Sequence, residues 1–130
     1  MPEEPTVLIY DEIEWDDMRK NANTSAAPPR ELVERAQKMG ARRKKLAKGE
    51  GGFFMNRSVL PADFRVPAHH HTHDELIVVL KGSCTFDDGF ADLGPDDSIV
   101  IRANFRYGFT CGPDGMEFLT IRMGEAGVSI

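Results

Sequence analysis

All four histidines of the 130-residue chain fall between His69 and His73, in a run HHHTHDE that closes on Asp74 and Glu75. The run lies mid-chain and is broken by Thr72, which sets aside a purification tag. On an extended strand alternate side chains point to the same face. His69, His71, His73 and Glu75 therefore share one parity, and His70, Thr72 and Asp74 the other. Two imidazoles two residues apart on one face converge on a single cation. A carboxylate four residues further on closes the same side if the chain bends near Thr72. Such nitrogen and oxygen donors suit iron, zinc, nickel, copper or manganese, with positions left open for substrate or water. A solvated His-rich loop is the plainer alternative. Four histidines in five positions, directly before an apolar strand, weigh towards a metal.

The elements that must hold these residues begin at Phe53. Short apolar runs alternate with turn signals every eight to twelve residues: FFMNRSVLP, DFRVP, ELIVVLKG, SCTFDDG, FADLGPDD, SIVIRAN, FRYGFTCGPDG and MEFLTIRM. Asp88-Gly89 signals a hairpin. Gly94-Pro95-Asp96 and Gly112-Pro113-Asp114-Gly115 read as turns, because proline presets one torsion and glycine accepts positive φ. LIVVL is apolar at both parities, as in a strand covered on both faces. Many short strands at even spacing imply a small sandwich or barrel.

Residues 1–52 read differently, as an arm and a basic helix. Thr6 to Tyr10 could form a short edge strand, and Trp15 is the one large anchor of the polar stretch that follows. After Pro28-Pro29, residues 30–48 read as a helix ended by Gly51-Gly52, with bases towards its C-terminus. Leu32, Val33, Ala36, Met39, Leu46 and Ala47 fall near one face of it. Charge is segregated. Residues 1–29 carry seven acids against two bases, residues 30–50 eight bases against three acids, and residues 51–130 six bases against eleven acids. The basic run ARRKKLAK lacks interleaved aromatics and sits in an acidic chain, which argues against nucleic acid. Docking on the acidic arm, within or between chains, accounts for it. No apolar run approaches the roughly 18 residues that cross a membrane, and a secretory signal is not expected, because the first residues show no basic start followed by a long apolar region. Cys84 and Cys111 match no zinc or redox spacing and read as reduced, buried thiols of a cytoplasmic protein.

The stretch HHHTHDELIVVLKG resembles the first motif of the cupin superfamily: His-x-His, three residues, Glu, six residues, Gly. The matches are His69, His71, Glu75 and Gly82; the glycine that often opens the motif is Asp63 here. LGPDDSIVIRANFRYGF is similar to the second motif, with Asp97 at the turn, Ile101 ending the strand, and Tyr107 where a metal-binding histidine usually stands. The resemblance covers roughly residues 53–123. It implies an all-β fold, a small antiparallel jelly-roll β-barrel over residues 53–130, with the metal site inside and His69, His71 and Glu75 as ligands. Because no histidine follows His73, a three-histidine, one-glutamate set from both motifs is impossible. Several arrangements stay open: a two-histidine, one-carboxylate set; Tyr107 ligating as phenolate; His73 as the third nitrogen; or a pocket that binds without metal. The favoured one has His69, His71 and Glu75 holding the metal and Tyr107 lining the site as a proton carrier.

Arg57, Arg65, Arg106 and Arg122 fall on strands or their ends, and any that faces inward would clamp a substrate carboxylate or enolate. Phe53, Phe54, Phe105, Phe109 and Phe118 read as core, with Phe109 a candidate pocket wall. The leading function is a metal-dependent enzyme acting on a small oxygenated molecule, of lyase, isomerase, cyclase or dioxygenase type, with Tyr107 or His73 moving a proton. The alternative is a non-catalytic ligand-binding or sensor module. A homodimer is expected through the two-sided LIVVL strand.

Overall fold

The computed structural model describes residues 3–16, 30–124 and 128–129. The expected docking of Leu32 and Val33 lies outside the described side chains. Among the described residues, eight antiparallel strands make the fold: β1 (Arg42–Lys48), β2 (Phe54–Leu60), β3 (Arg65–His71), β4 (Glu75–Phe86), β5 (Asp92–Leu93), β6 (Ser98–Ile101), β7 (Tyr107–Arg122) and β8 (Val128–Ser129). An α-helix, α1 (Arg30–Lys38), precedes them. The sheet runs β1-β2-β7-β3-β8, and β4 pairs with β5, β6 and β7. The expected all-β jelly-roll architecture is the one found.

Strands β4 and β7 are the spine. They pair along nearly their whole length, from Leu76 opposite Ile121 to Phe86 opposite Phe109. On the other edge of β7, its first residues pair with β3 and its last with β2. Inward residues of β4 alternate strictly at first: Glu75, Ile77 and Val79 are buried, the last two almost completely. Leu76, Val78 and Leu80, on the opposite parity, are half-buried.

Gly112 to Gly115 does not turn the chain back, as its composition suggests. Instead β7 runs straight through it. Gly115 adopts φ 75°, and the facing strand shifts register between Gly82 and Cys84, so the two strands bend together. The close approach dictates glycine at Gly82: a Cβ there would lie 2.0 Å from the Gly115 carbonyl oxygen. The bend also switches the inward parity of β7, from Tyr107, Phe109 and Cys111 to Met116, Phe118 and Thr120. At Asp63, where the first motif usually has glycine, the backbone takes φ 59°. Aspartate tolerates this left-handed conformation better than most side chains. The Asp88-Gly89 hairpin forms as expected, with the Phe86 amide donating to the Ala91 carbonyl at 2.8 Å.

The helix expected over 30–48 ends at Lys38, and Arg42–Lys48 is a strand instead. Gly40, at φ 101°, breaks the helix, and the following residues find an open edge of β2 to pair with. Cross-strand pairing and burial outweigh the helix preference of Arg, Lys, Leu and Ala. A register shift between Lys45 and Ala47 lets Leu46 and Ala47 both bury. The expected strand at Thr6 to Tyr10 is absent; the arm is irregular up to a 3-10 turn at Tyr10–Glu12. Lys44, buried on β1, explains how the arm docks. Its ammonium donates to the Tyr10 carbonyl at 2.8 Å and lies 3.9 Å from the Tyr10 ring centre. Arg42 covers Trp15 at 4.4 Å, and Arg43 pairs with Asp16 at 2.6 Å. The acidic arm and basic run thus meet within one chain, through cation–π contacts as well as ion pairs. Among the described residues no helix is long and apolar enough to cross a membrane.

Candidate active site

Strands β3, β4 and β7 bring the site together. Register sets His69 directly opposite Tyr107. Leu76 opposite Ile121 brings Arg122, the next residue of β7, to the level of Glu75. His69, Glu75 and Tyr107 are buried, with 9%, 4% and 7% of their surface exposed.

The His69 and His71 rings pack edge to face with centroids 4.9 Å apart, and Tyr107 lies 4.5 Å from the His69 ring. His69 Nδ1 is 2.8 Å from the Pro67 carbonyl. A carbonyl only accepts, so Nδ1 carries the proton and Nε2 is left with a lone pair, the arrangement that orients a ligating histidine. Burial lowers the pKa of His69 below its ordinary value, keeping the ring neutral. His71 Nε2 lies 3.6 Å from Glu75 Oε2. Two donors on one transition-metal ion with bonds near 2.1 Å stand roughly 3–3.5 Å apart, so this pair is close to ligand spacing.

Glu75 is held from two sides. The Tyr107 hydroxyl donates to its Oε1 at 3.1 Å, and the Arg122 guanidinium lies 3.5 Å from Oε2, an oxygen that is buried without a hydrogen bond. Burial pushes the Glu75 pKa up, opposed first by Arg122. Tyr107 is raised well above the usual phenol range, chiefly by burial and next by the Glu75 charge, so its hydroxyl stays protonated. Among the described residues, no three His, Cys, Asp or Glu side chains are drawn tightly round one point. In donor chemistry the set still fits a transition-metal ion: two imidazoles, one with its free nitrogen defined, beside a buried carboxylate oxygen lacking a hydrogen bond.

His73 is not brought to this cluster. It is exposed on the turn, 3.1 Å from Thr72 Oγ1, and packs against Gly124. Of the four arginines, Arg122 faces inward. Arg57 pairs with Glu117 and Arg65 with Asp87. Arg106 is exposed and lines a cleft of about 360 Å³ that also reaches Tyr107, Phe86, Phe90 and Phe105. Phe53 and Phe105, expected in the core, are about half exposed. Phe109 is core, stacked on Phe86 at 5.3 Å; it does not line the cleft, and Phe86 takes that place. Cys84 and Cys111 are free and buried. Burial raises their pKa values to about 11 and about 12, so they stay as packed thiols at neutral pH.

No family model matches the sequence, and no curated protein matches it. Solved structures do match its fold. KdgF from Halomonas sp. aligns with TM-score 0.66 at 19% identity, over 93% of this chain and 96% of that one. The polyketide cyclase RemF from Streptomyces resistomycificus aligns at 0.69 and 20% identity, over 97% of this chain and 84% of that one. An RmlC-like cupin from Shewanella frigidimarina aligns at 0.64 and 16% identity, over 94% and 93%. The chain has the cupin fold.

Proposed function

We propose that the protein is a metal-dependent enzyme acting on a small oxygenated organic molecule. The observation that carries this is the nearness of His69, His71 and Glu75 to one another and to Tyr107, a residue that also lines a cleft of about 360 Å³. His69 Nε2, His71 and Glu75 would hold iron, zinc, nickel or manganese. Such an ion supplies Lewis-acid polarisation of a carbonyl or enol oxygen. Tyr107, neutral and buried, would turn its one hydroxyl proton from Glu75 Oε1 to a substrate oxygen as charge develops there. Arg122 balances the Glu75 charge. His73, exposed on the turn, is assigned no part in this step. Lyase, isomerase and cyclase reactions ask no more of the chain than these groups; a dioxygenase adds O₂ and a redox-active iron. The likeness to a polyketide cyclase supports the enzymatic reading.

A second reading, a ligand-binding or sensor cupin, is favoured by one observation: both oxygens of Glu75 already have a partner, Tyr107 on one and Arg122 near the other. Elemental analysis of the protein as purified separates the two. Stoichiometric metal, with turnover in a screen of small keto, enol and catecholic compounds, is the expected result; protein without metal that still binds such compounds means a binding module.

We further infer a cytoplasmic homodimer. The free thiols suit a reducing compartment. Val100, 64% exposed and opposite Leu76 on the outer face of β4 and β6, suits burial against a second copy. Sedimentation should give a dimer, and Val100→Lys a monomer.

A further inference from the structure

The cleft beside Tyr107 has a chemistry that the metal cluster does not use. Phe90 and Phe105 come from different loops yet stand together at its rim, with ring centroids 5.6 Å apart and planes inclined by 35°. Both are about half exposed. Phe86 lies 6.2 Å beneath Phe90 and 6.0 Å from Tyr107, so aromatic faces continue from the rim inwards. Concave, apolar, aromatic-lined space with a few polar groups is the usual form of a small-molecule site. The volume, about 360 Å³, suits a ligand of one or two fused rings.

The rim is braced. Asp74 accepts from the Ala103 amide at 2.8 Å, and the Asn104 amide donates to the His71 carbonyl at 2.7 Å. These bonds fix the loop that presents Phe105 and Arg106. On the other side Arg65 grips Asp87 with two hydrogen bonds, one of 2.6 Å to Oδ2, which neutralises that acid. Arg106, by contrast, has no hydrogen bond or ion pair among the described residues. Asp88, the other acid of the lining, sits at the tip of the β4–β5 turn at φ 62°. The cleft thus offers aromatic faces with an uncommitted guanidinium beside them.

We infer that this cleft binds a planar, conjugated organic acid, its ring system against Phe90 and Phe105 and its carboxylate on Arg106. The assignment names the substrate class of the site proposed above and rests on that reading for its link to turnover, though not for binding itself. Stacking gives affinity without much specificity, and the guanidinium selects for negative charge.

Calorimetry with 2-naphthoate and its neutral analogue 2-naphthamide tests this on the full chain. Naphthoate should bind about tenfold more tightly than the amide. Arg106→Gln should erase that preference while leaving amide binding unchanged. Phe90→Ala and Phe105→Ala should each weaken both probes about three- to tenfold. These side chains are exposed, so the variants should melt like the parent. Naphthoate binding should persist in EDTA and in His69→Ala, which keeps the test independent of the metal. Equal affinity for the two probes, or no saturable heat, overturns the inference. So does a loss of dimerisation in Phe90→Ala or Phe105→Ala without any change in probe binding, because the rim is then a contact between copies.

Discussion

Replacing His69 or His71 with alanine should release the metal and leave the barrel folded. Loss of a residue that merely orients a ligand costs about 10- to 100-fold in metal affinity; removal of a nitrogen ligand itself should exceed that, so each variant should purify with little metal. The fold should survive because the most deeply buried side chains, Ile77, Val79 and Phe86, lie on β4 and depend on neither histidine. His69 gives up a ring contact with Tyr107 and a hydrogen bond to Pro67, a loss of about 1–2 kcal/mol. Two controls sharpen the result. His70→Ala, on the opposite parity, and His73→Ala, on the exposed turn, should keep the metal. Elemental analysis together with thermal melting reads all four variants. Full metal content in both His69→Ala and His71→Ala would refute the ligand assignment.

The contrast between His69 and Arg122 shows how far sequence carries. His69 and His71 share a parity that can be counted along β3, and the bend after His71 brings Glu75, the first residue of β4, to the same side. Tyr107 is picked out by the resemblance to the second cupin motif, and register puts it opposite His69. Arg122 could not be placed, because counting from Tyr107 gives the wrong face: β7 changes its inward parity at Gly112 to Gly115. That glycine-proline run looks like a turn locally, and only the matching bend of β4 makes it a continuation. His73 fails for a related reason, since alternation holds only while the chain stays extended, and the chain leaves β3 after His71. The basic strand β1 was illegible because its composition favours a helix and its pairing partner lies downstream in β2. Phe105 and Phe90 are apolar, and nothing in a single sequence marks which phenylalanines a loop will hold at a rim.

Tyr107→Phe isolates the hydroxyl. Phenylalanine keeps the ring that packs on His69 and Phe86, so the walls of the site should stay in place. What disappears is the donor to Glu75 Oε1. The carboxylate is already pushed towards its neutral form by burial; without the phenol it keeps Arg122 as its main stabilising neighbour, and a stability loss of about 1–3 kcal/mol is expected. Turnover should fall about 10²- to 10⁴-fold if the hydroxyl moves a proton in the reaction, with metal content unchanged. The pairing of those two readouts decides the role of the residue. Slow turnover with full metal makes Tyr107 a proton donor; loss of metal makes it a ligand, as phenolate, in place of the missing histidine; unchanged turnover with full metal leaves it as a wall whose hydroxyl only positions Glu75. The first outcome is expected because the neutral phenol is strongly favoured at this position, and a group that keeps its proton through the resting state still has it to give when an oxygen in the cleft gains charge.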